Sequence, residues 1–184
     1  MKSVYFVFAH PHRNRSRVNA TVLETVSNLN GVTVCDLYER YPSFALDIDH
    51  EKRELLRHEV IFFQHPLYWY SLPPLLKLWF DEVFELGFAY GPGGTHLAGK
   101  DFQVSVSAGG PESAYGPNGY NQYSIDEFFV PYRQIATLCT MKWSPPIVLY
   151  QSNKAKLEAI EAHAERVRDR VLRFTNPLYA GPTA

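Results

Sequence analysis

One short stretch constrains this chain more than any other: an apolar run, a loop broken by prolines, and then an apolar stripe at helical spacing. Residues 60–63 read as a buried strand. Residues 64–71 are expected not to continue it, because Pro66 has no N–H for a ladder. Pro73 and Pro74 suit a first helical turn, and Leu75, Leu76, Leu78, Trp79, Phe80, Val83 and Phe84 then recur as a helix requires. The order is strand, aromatic loop, helix. Tyr68, Trp69 and Tyr70 therefore fall where an open α/β sheet places its ligand, outside the carboxyl end of a strand.

The rest of the chain repeats the alternation. Strands are expected at 4–9, 32–37, 102–107 and 143–150. Helices are expected from Ser16 as N-cap to a stop at Gly31, over 47–58 with an acidic start, over 73–86, over 125–138 with Pro131 kinking or splitting it, and over 154–174. Five strands alternating with helices argue a parallel sheet covered on both faces. The 184 residues read as one domain, 1–175, with a loosely held tail at 176–184.

Composition excludes several classes. A formal net charge of −1 gives no basic footprint for nucleic acid. Cys35 and Cys139 are far apart, with neither metal-ligand nor redox-pair spacing, and no metal is expected. The start of the chain shows no signal-peptide pattern, and no run reaches the roughly 20 apolar residues of a membrane span, so a cytoplasmic protein is expected.

Three loops carry the functional reading, each following a strand: 10–17, 64–71 and 107–120. The first holds His10, Arg13, Arg15, Ser16, Arg17 and Asn19 and opens a helix whose free N–H groups favour a phosphate. The second offers a flat aromatic wall. The third contains Gly109-Gly110, which lets backbone N–H groups approach a ligand closely. Taken singly, each has a plainer explanation: solvated arginines, a structural histidine, an ordinary turn. Convergence of the three suits a flavin mononucleotide. Gly-x-Gly-x-x-Gly after the first strand, the phosphate loop of ATPases and a Gly-x-Ser-x-Gly elbow are all absent, and neither cysteine lies in the first loop as a phosphatase of this architecture requires.

The motifs Ala9-His10-Pro11, Gln64-His65-Pro66-Leu67-Tyr68-Trp69-Tyr70, Pro73-Pro74-Leu75-Leu76-Lys77-Leu78-Trp79 and Gly91-Pro92-Gly93-Gly94 resemble the flavodoxin-like NAD(P)H:quinone oxidoreductases. Tyr41-Pro42, Asp47-Ile48-Asp49 and Gly109-Gly110-Pro111-Glu112-Ser113 narrow the resemblance to ancillary subunits of glutathione-regulated potassium-efflux (Kef) systems. The resemblance implies a flavodoxin-like three-layer sandwich with a five-stranded parallel sheet. It implies FMN rather than FAD, an NAD(P)H donor, a quinone-type acceptor, a homodimer, and a transporter partner at the inner membrane. His10, Ser16, Arg17, Val18 and Asn19 are then expected to hold the flavin phosphate and ribityl chain. Pro66, Leu67, Tyr68 and Trp69 back the ring, and Ser107, Ala108, Gly109 and Gly110 present backbone donors to its pyrimidine edge. Tyr115 matches a substrate-site tyrosine. Six residues later the family's quinone reductases carry a histidine where this chain has Asn121, which donates a hydrogen bond but does not shuttle a proton near neutral pH. That departure bears on quinone turnover, not on flavin binding. The alternative is a regulatory transporter subunit with little redox turnover. A flavodoxin-type electron carrier fits less well, because such carriers are strongly acidic and this chain is not.

Overall fold

A computed structural model describes residues 1–179. The elements in chain order are β1 (Val4–Phe8), α1 (Arg17–Val26), β2 (Val32–Asp36), α2 (Leu37–Arg40), α3 (Ile48–Arg57), β3 (Val60–Pro66), α4 (Pro74–Val83), β4 (Asp101–Ser107), α5 (Val130–Leu138), β5 (Lys142–Trp143), β6 (Ile147–Leu149) and α6 (Leu157–Thr175). All pairings are parallel, in the order β2-β1-β3-β4-β5, with β6 also on β4. The order reverses between β1 and β3, the point at which open sheets hold ligands.

Side chains alternate across the sheet and feed two cores. Tyr5, Val7, Ile61, Phe63, Phe102 and Val104 pack beneath α3, α4 and α5. Val4, Phe6, Phe8, Val60 and Phe62 pack beneath α1 and α6. The expected flavodoxin-like arrangement, helices on both faces of a parallel sheet, is the one observed. On α4 the residues Leu75, Leu76, Trp79, Phe80 and Val83 are all buried in the first core, so sheet packing takes up its wide apolar face.

Four local expectations are corrected. β3 runs on through Gln64, His65 and Pro66, whose register partner is Ser107. Pro66 is tolerated because it is the last residue of the strand, and Leu67 N–H donates to Ser107 O at 2.9 Å just beyond it. The single expected strand at 143–150 is two short ones, β5 and β6, giving six strands. Pro145-Pro146 interrupts it, and the Gln103 Nε2 amide bridges the gap by donating to Pro145 O at 2.9 Å. α1 stops at Val26, so Leu29 belongs to the turn before Gly31. The four-residue α2, capped by Asp36, was not anticipated. Pro131 does split its segment: a 3-10 turn at Ile125–Phe129 precedes α5, whose first turn holds the proline.

After α6 a 3-10 turn occupies Pro177–Tyr179, and 180–184, the rest of the expected tail, lie outside the described residues. Among the described residues no helix is long and apolar enough to cross a membrane.

Residues 47–51 form the expected acidic helix start, capped by Asp47, but Glu51 turns inward and is fully buried. Its Oε2 accepts from the Tyr5 hydroxyl at 2.8 Å and the Trp79 indole N–H at 2.7 Å. Its Oε1 accepts from the Tyr41 hydroxyl at 2.6 Å, and the Arg40 guanidinium lies 3.8 Å away. One carboxylate thus joins β1, α2, α3 and α4. Glu51→Ala leaves four buried donors (Tyr5, Tyr41, Trp79 and the Cys35 thiol) and a cation without this acceptor and is expected to destabilise the fold by about 3–5 kcal/mol in urea unfolding, with Glu51→Gln losing less. A loss below about 1 kcal/mol for the alanine variant contradicts this role.

Candidate functional site

Loops after β1, β3, β4 and β6 line a cleft of about 480 Å³. It is bounded by His10, His12, Arg15, Ser16, Arg17, Val18, Asn19, Pro66, Leu67, Tyr68, Ser107, Gly109, Ser152 and Asn153.

The first loop is held by its own backbone. His10 is buried, and its Nδ1 accepts from the His12 N–H at 3.0 Å, so the ring proton sits on Nε2. Burial first, and His12 second, push the His10 pKa down to about 4, leaving a neutral donor at pH 7. Ser16 caps α1: its Oγ accepts from Asn19 N–H at 3.1 Å and Asn19 Nδ2 at 2.9 Å, which leaves its own O–H to donate outward. Arg13 is engaged by Asp36 at 3.3 Å and Glu39 at 3.1 Å. Arg15 and Arg17 line the cleft and form no ion pair among the described residues.

Asn19 joins this loop to the others. Its Nδ2 also donates to Ser107 Oγ at 2.9 Å, and its Oδ1 accepts from Gln64 Nε2 at 2.8 Å. In the second loop Tyr68 and Ser71 exchange backbone hydrogen bonds at 3.1 and 2.9 Å across a tight turn. Its two central residues, Trp69 at φ +46° and Tyr70 at φ +63°, occupy the left-handed region normally filled by Asn or Gly. Trp69 is 92% exposed at the tip and does not line the cleft, whereas Pro66, Leu67 and Tyr68 do. Tyr68 meets the His10 ring edge-on at 6.0 Å. In the third loop the Ala108 N–H is taken by Leu149 O at 2.8 Å, and Gly109 is the next residue to line the cleft.

The site thus has a cationic, helix-capped end and a wall of Pro66, Leu67 and Tyr68, at the switch point of a parallel sheet. The sequence profile of the flavodoxin-like fold matches residues 2–171. The chain belongs to that family. Among curated relatives of this flavodoxin-like protein, the glutathione-regulated potassium-efflux system ancillary protein KefG of Serratia proteamaculans is 44% identical over 166 residues, 90% of this chain and 91% of its own. Among solved structures, a chain described as a thermophilic tryptophan halogenase from Streptomycin violaceusniger is 41% identical, with TM-score 0.89 and coverage of 91% of this chain and 98% of that one. General stress protein 14 of Treponema denticola, in complex with FMN, is 31% identical, with TM-score 0.87 and coverage of 92% and 97%. An NADPH-quinone reductase from P. pentosaceus is 26% identical, with TM-score 0.84 and coverage of 92% and 97%.

Tyr115 and Asn121 stand outside the residues lining the cleft, as do Ala108 and Gly110. Asn121 Oδ1 accepts from the Tyr70 hydroxyl at 3.1 Å, tying the third loop of this flavodoxin-like chain to the second. Burial pushes the Tyr115 phenol up, with Tyr120 and Tyr70 adding to it and the Gly110 backbone opposing. His12, Ser152 and Asn153 are lining residues absent from the expected set, and Arg15, expected only among the cations of the first loop, lines the cleft as well. His12 is legible as a polar group of the first loop. Ser152 and Asn153 follow β6, so the topology of a fourth loop at the same sheet edge was the signal for them.

Asn19→Ala removes a buried group that satisfies Ser16, Gln64 and Ser107 together. It is expected to destabilise the protein by about 2–3 kcal/mol and to raise hydrogen exchange in the first loop. Histidines make a second prediction. His65, fully buried between Pro66 O and the Tyr132 hydroxyl, and His163, beside Ser105 and Arg166, are each held down to about 4 by burial, against 6.5 in an unfolded chain. A depressed histidine favours the folded state above 6.5 and opposes it as pH falls toward 4. The urea midpoint is therefore expected to be flat above about pH 7 and to fall between about pH 6.5 and 4, less steeply in His163→Gln.

Proposed function

We infer that this protein is a flavin-dependent oxidoreductase that takes FMN, draws electrons from NAD(P)H and delivers them to a quinone-type acceptor, and that it serves as an ancillary subunit of a Kef-type potassium-efflux system. The observation that carries the redox reading is the cleft at the β1/β3 switch point, lined by Arg15 and Arg17, which form no ion pair among the described residues, at a capped helix start, and by Pro66, Leu67 and Tyr68. Likeness to an FMN complex and to an NADPH-quinone reductase supports it, and likeness to KefG supports the transporter role.

The residues fit the cofactor. A cleft of about 480 Å³ is within the range of small-molecule sites. Arg15, Arg17, the Ser16 O–H and the opening N–H groups of α1 form a donor set for a phosphate dianion. The His10 Nε2–H is a neutral donor, which suits a site where a further cation is not needed. Pro66, Leu67 and Tyr68 would back a planar ring, and the Gly109 backbone would lie along its polar edge. Bound FMN supplies hydride acceptance and release. The second loop would orient the ring through Pro66, Leu67 and Tyr68, and donor and acceptor would use the site in turn, in ping-pong kinetics. Cytosolic placement beside an inner-membrane partner and homodimeric assembly complete the reading.

A second reading, a binding subunit with little turnover, is favoured by one feature: Asn121 is occupied by Tyr70 and carries no titratable proton. In steady state, NAD(P)H oxidation by quinones is expected only with FMN present, with parallel double-reciprocal lines. Absence of NAD(P)H oxidation with every quinone tried contradicts the enzyme. Arg17→Ala is expected to weaken FMN binding roughly tenfold, more at low salt than at high. Potassium efflux unchanged on deleting the gene contradicts the ancillary role, and efflux restored by a flavin-binding but inactive variant favours the second reading.

A further inference from the structure

Two phenol hydroxyls converge over a single backbone position beside the cleft. A Cβ added at Gly110 would lie 2.8 Å from the Tyr120 hydroxyl and 3.4 Å from that of Tyr115. Only glycine leaves room for this approach. The preceding residue, Gly109, lines the cleft, so the pair stands at its third-loop edge, whereas the guanidiniums of Arg15 and Arg17 belong to the first loop.

Tyr120 is 72% exposed, yet it is not on a loose segment. Gly119 N–H donates to Gly116 O at 3.0 Å, and Asn121 N–H donates to Ala114 O at 3.0 Å, clamping the residues on either side. A Cβ at Gly119 would meet Ala114 O at 2.2 Å, so the loop closes on itself with no space for a side chain there. The Asn121 side chain adds a tie to Tyr70, whose ring stacks on Phe128 at 5.0 Å. Phe128 also meets Tyr115 edge-on at 6.0 Å. A rigid turn thus presents one phenol O–H outward, next to a second, with no partner for Tyr120 among the described residues.

We propose that Tyr120 is a specificity-determining residue: its hydroxyl, paired with that of Tyr115, donates a hydrogen bond to a carbonyl oxygen of the quinone-type acceptor, and Asn121 is a positioning residue acting through Tyr70. This rests on the oxidoreductase reading above. The phenol proton stays on Tyr120; its contribution is to hold and orient the carbonyl, in the bound state and the transition state alike. An acceptor without a carbonyl oxygen gains nothing from it.

The test compares FMN-saturated wild type and Tyr120→Phe, with NADPH as donor and 1,4-benzoquinone or ferricyanide as acceptor. Tyr120→Phe is expected to raise KM for benzoquinone about tenfold, the value of one lost hydrogen bond, with kcat within about twofold. The rate with ferricyanide and the Kd for FMN, measured by flavin fluorescence, are expected to be unchanged. Gly110→Ala, whose methyl displaces the Tyr120 hydroxyl, is expected to give the same rise, and the double variant no more than either single one. Asn121→Ala is expected to raise KM in the wild-type background but not in Tyr120→Phe. An unchanged benzoquinone KM in Tyr120→Phe, or an equal loss with ferricyanide, overturns the assignment while the oxidoreductase reading stands. A wild type that reduces no quinone overturns both.

Discussion

The Asn19 carboxamide is the joint on which the arrangement of the cleft depends. It lies in the first turn of α1 but hydrogen-bonds the α1 cap, the end of β3 and the end of β4 at once. Three loops that are distant in sequence therefore share one buried amide. Each bond is worth about 1 kcal/mol net, but an unsatisfied buried partner costs about 1–3 kcal/mol, so the geometry is specified more by the penalty of breaking it than by its strength. With Ser16 and Ser107 each accepting from Asn19, their hydroxyl protons are left for a ligand. A scaffold interaction thus sets the polarity of the site.

A second buried polar centre works on the opposite face of the sheet. Glu51 gathers Tyr5, Tyr41 and Trp79, fixing α2 and α3 against β1 and α4. The α1 and α6 face has Asn19, Gln64, Ser105 and His163 in its interior, and the other face has Glu51 and His65. An otherwise aromatic and β-branched core packs in many ways; a few buried polar groups, partnered except at Gln64 Oε1 among the described residues, select one of them. The second loop shows the opposite device. Trp69 and Tyr70 sit at positive φ, a strain of the order of 1–2 kcal/mol per residue, compensated by the two backbone bonds of the Tyr68–Ser71 turn and by the Tyr70 contacts to Asn121 and Phe128.

Much of this was readable from residue order. The alternation of buried runs and helical stripes is set by periodicity, and β1 with its wholly buried pattern is the clearest case. The Ser16 cap and the split at Pro131 follow from local chemistry alone. What sequence could not supply depended on contacts made at a distance. Pro66 looked like a strand breaker because the ladder bond resumed by Leu67 on Ser107 is invisible in the chain. Glu51 looked like one more acidic residue at a helix start because its four donors come from other elements. Trp69, grouped with its aromatic neighbours by sequence, is separated from them by a turn type that its residue identity disfavours. Ser152 and Asn153 joined the cleft through topology, since β6 ends beside β4.

The central claim is that the cleft between these loops is a flavin site. Titration of the purified protein with FMN, followed by flavin fluorescence and the visible spectrum, tests it most directly. The account predicts saturable binding of one FMN per chain in the micromolar range or tighter, a perturbed yellow spectrum that bleaches on anaerobic addition of NADPH, and weaker binding when Arg15 and Arg17 are replaced. A protein that neither carries FMN nor takes it up, or that binds it equally well without those two arginines, contradicts the account.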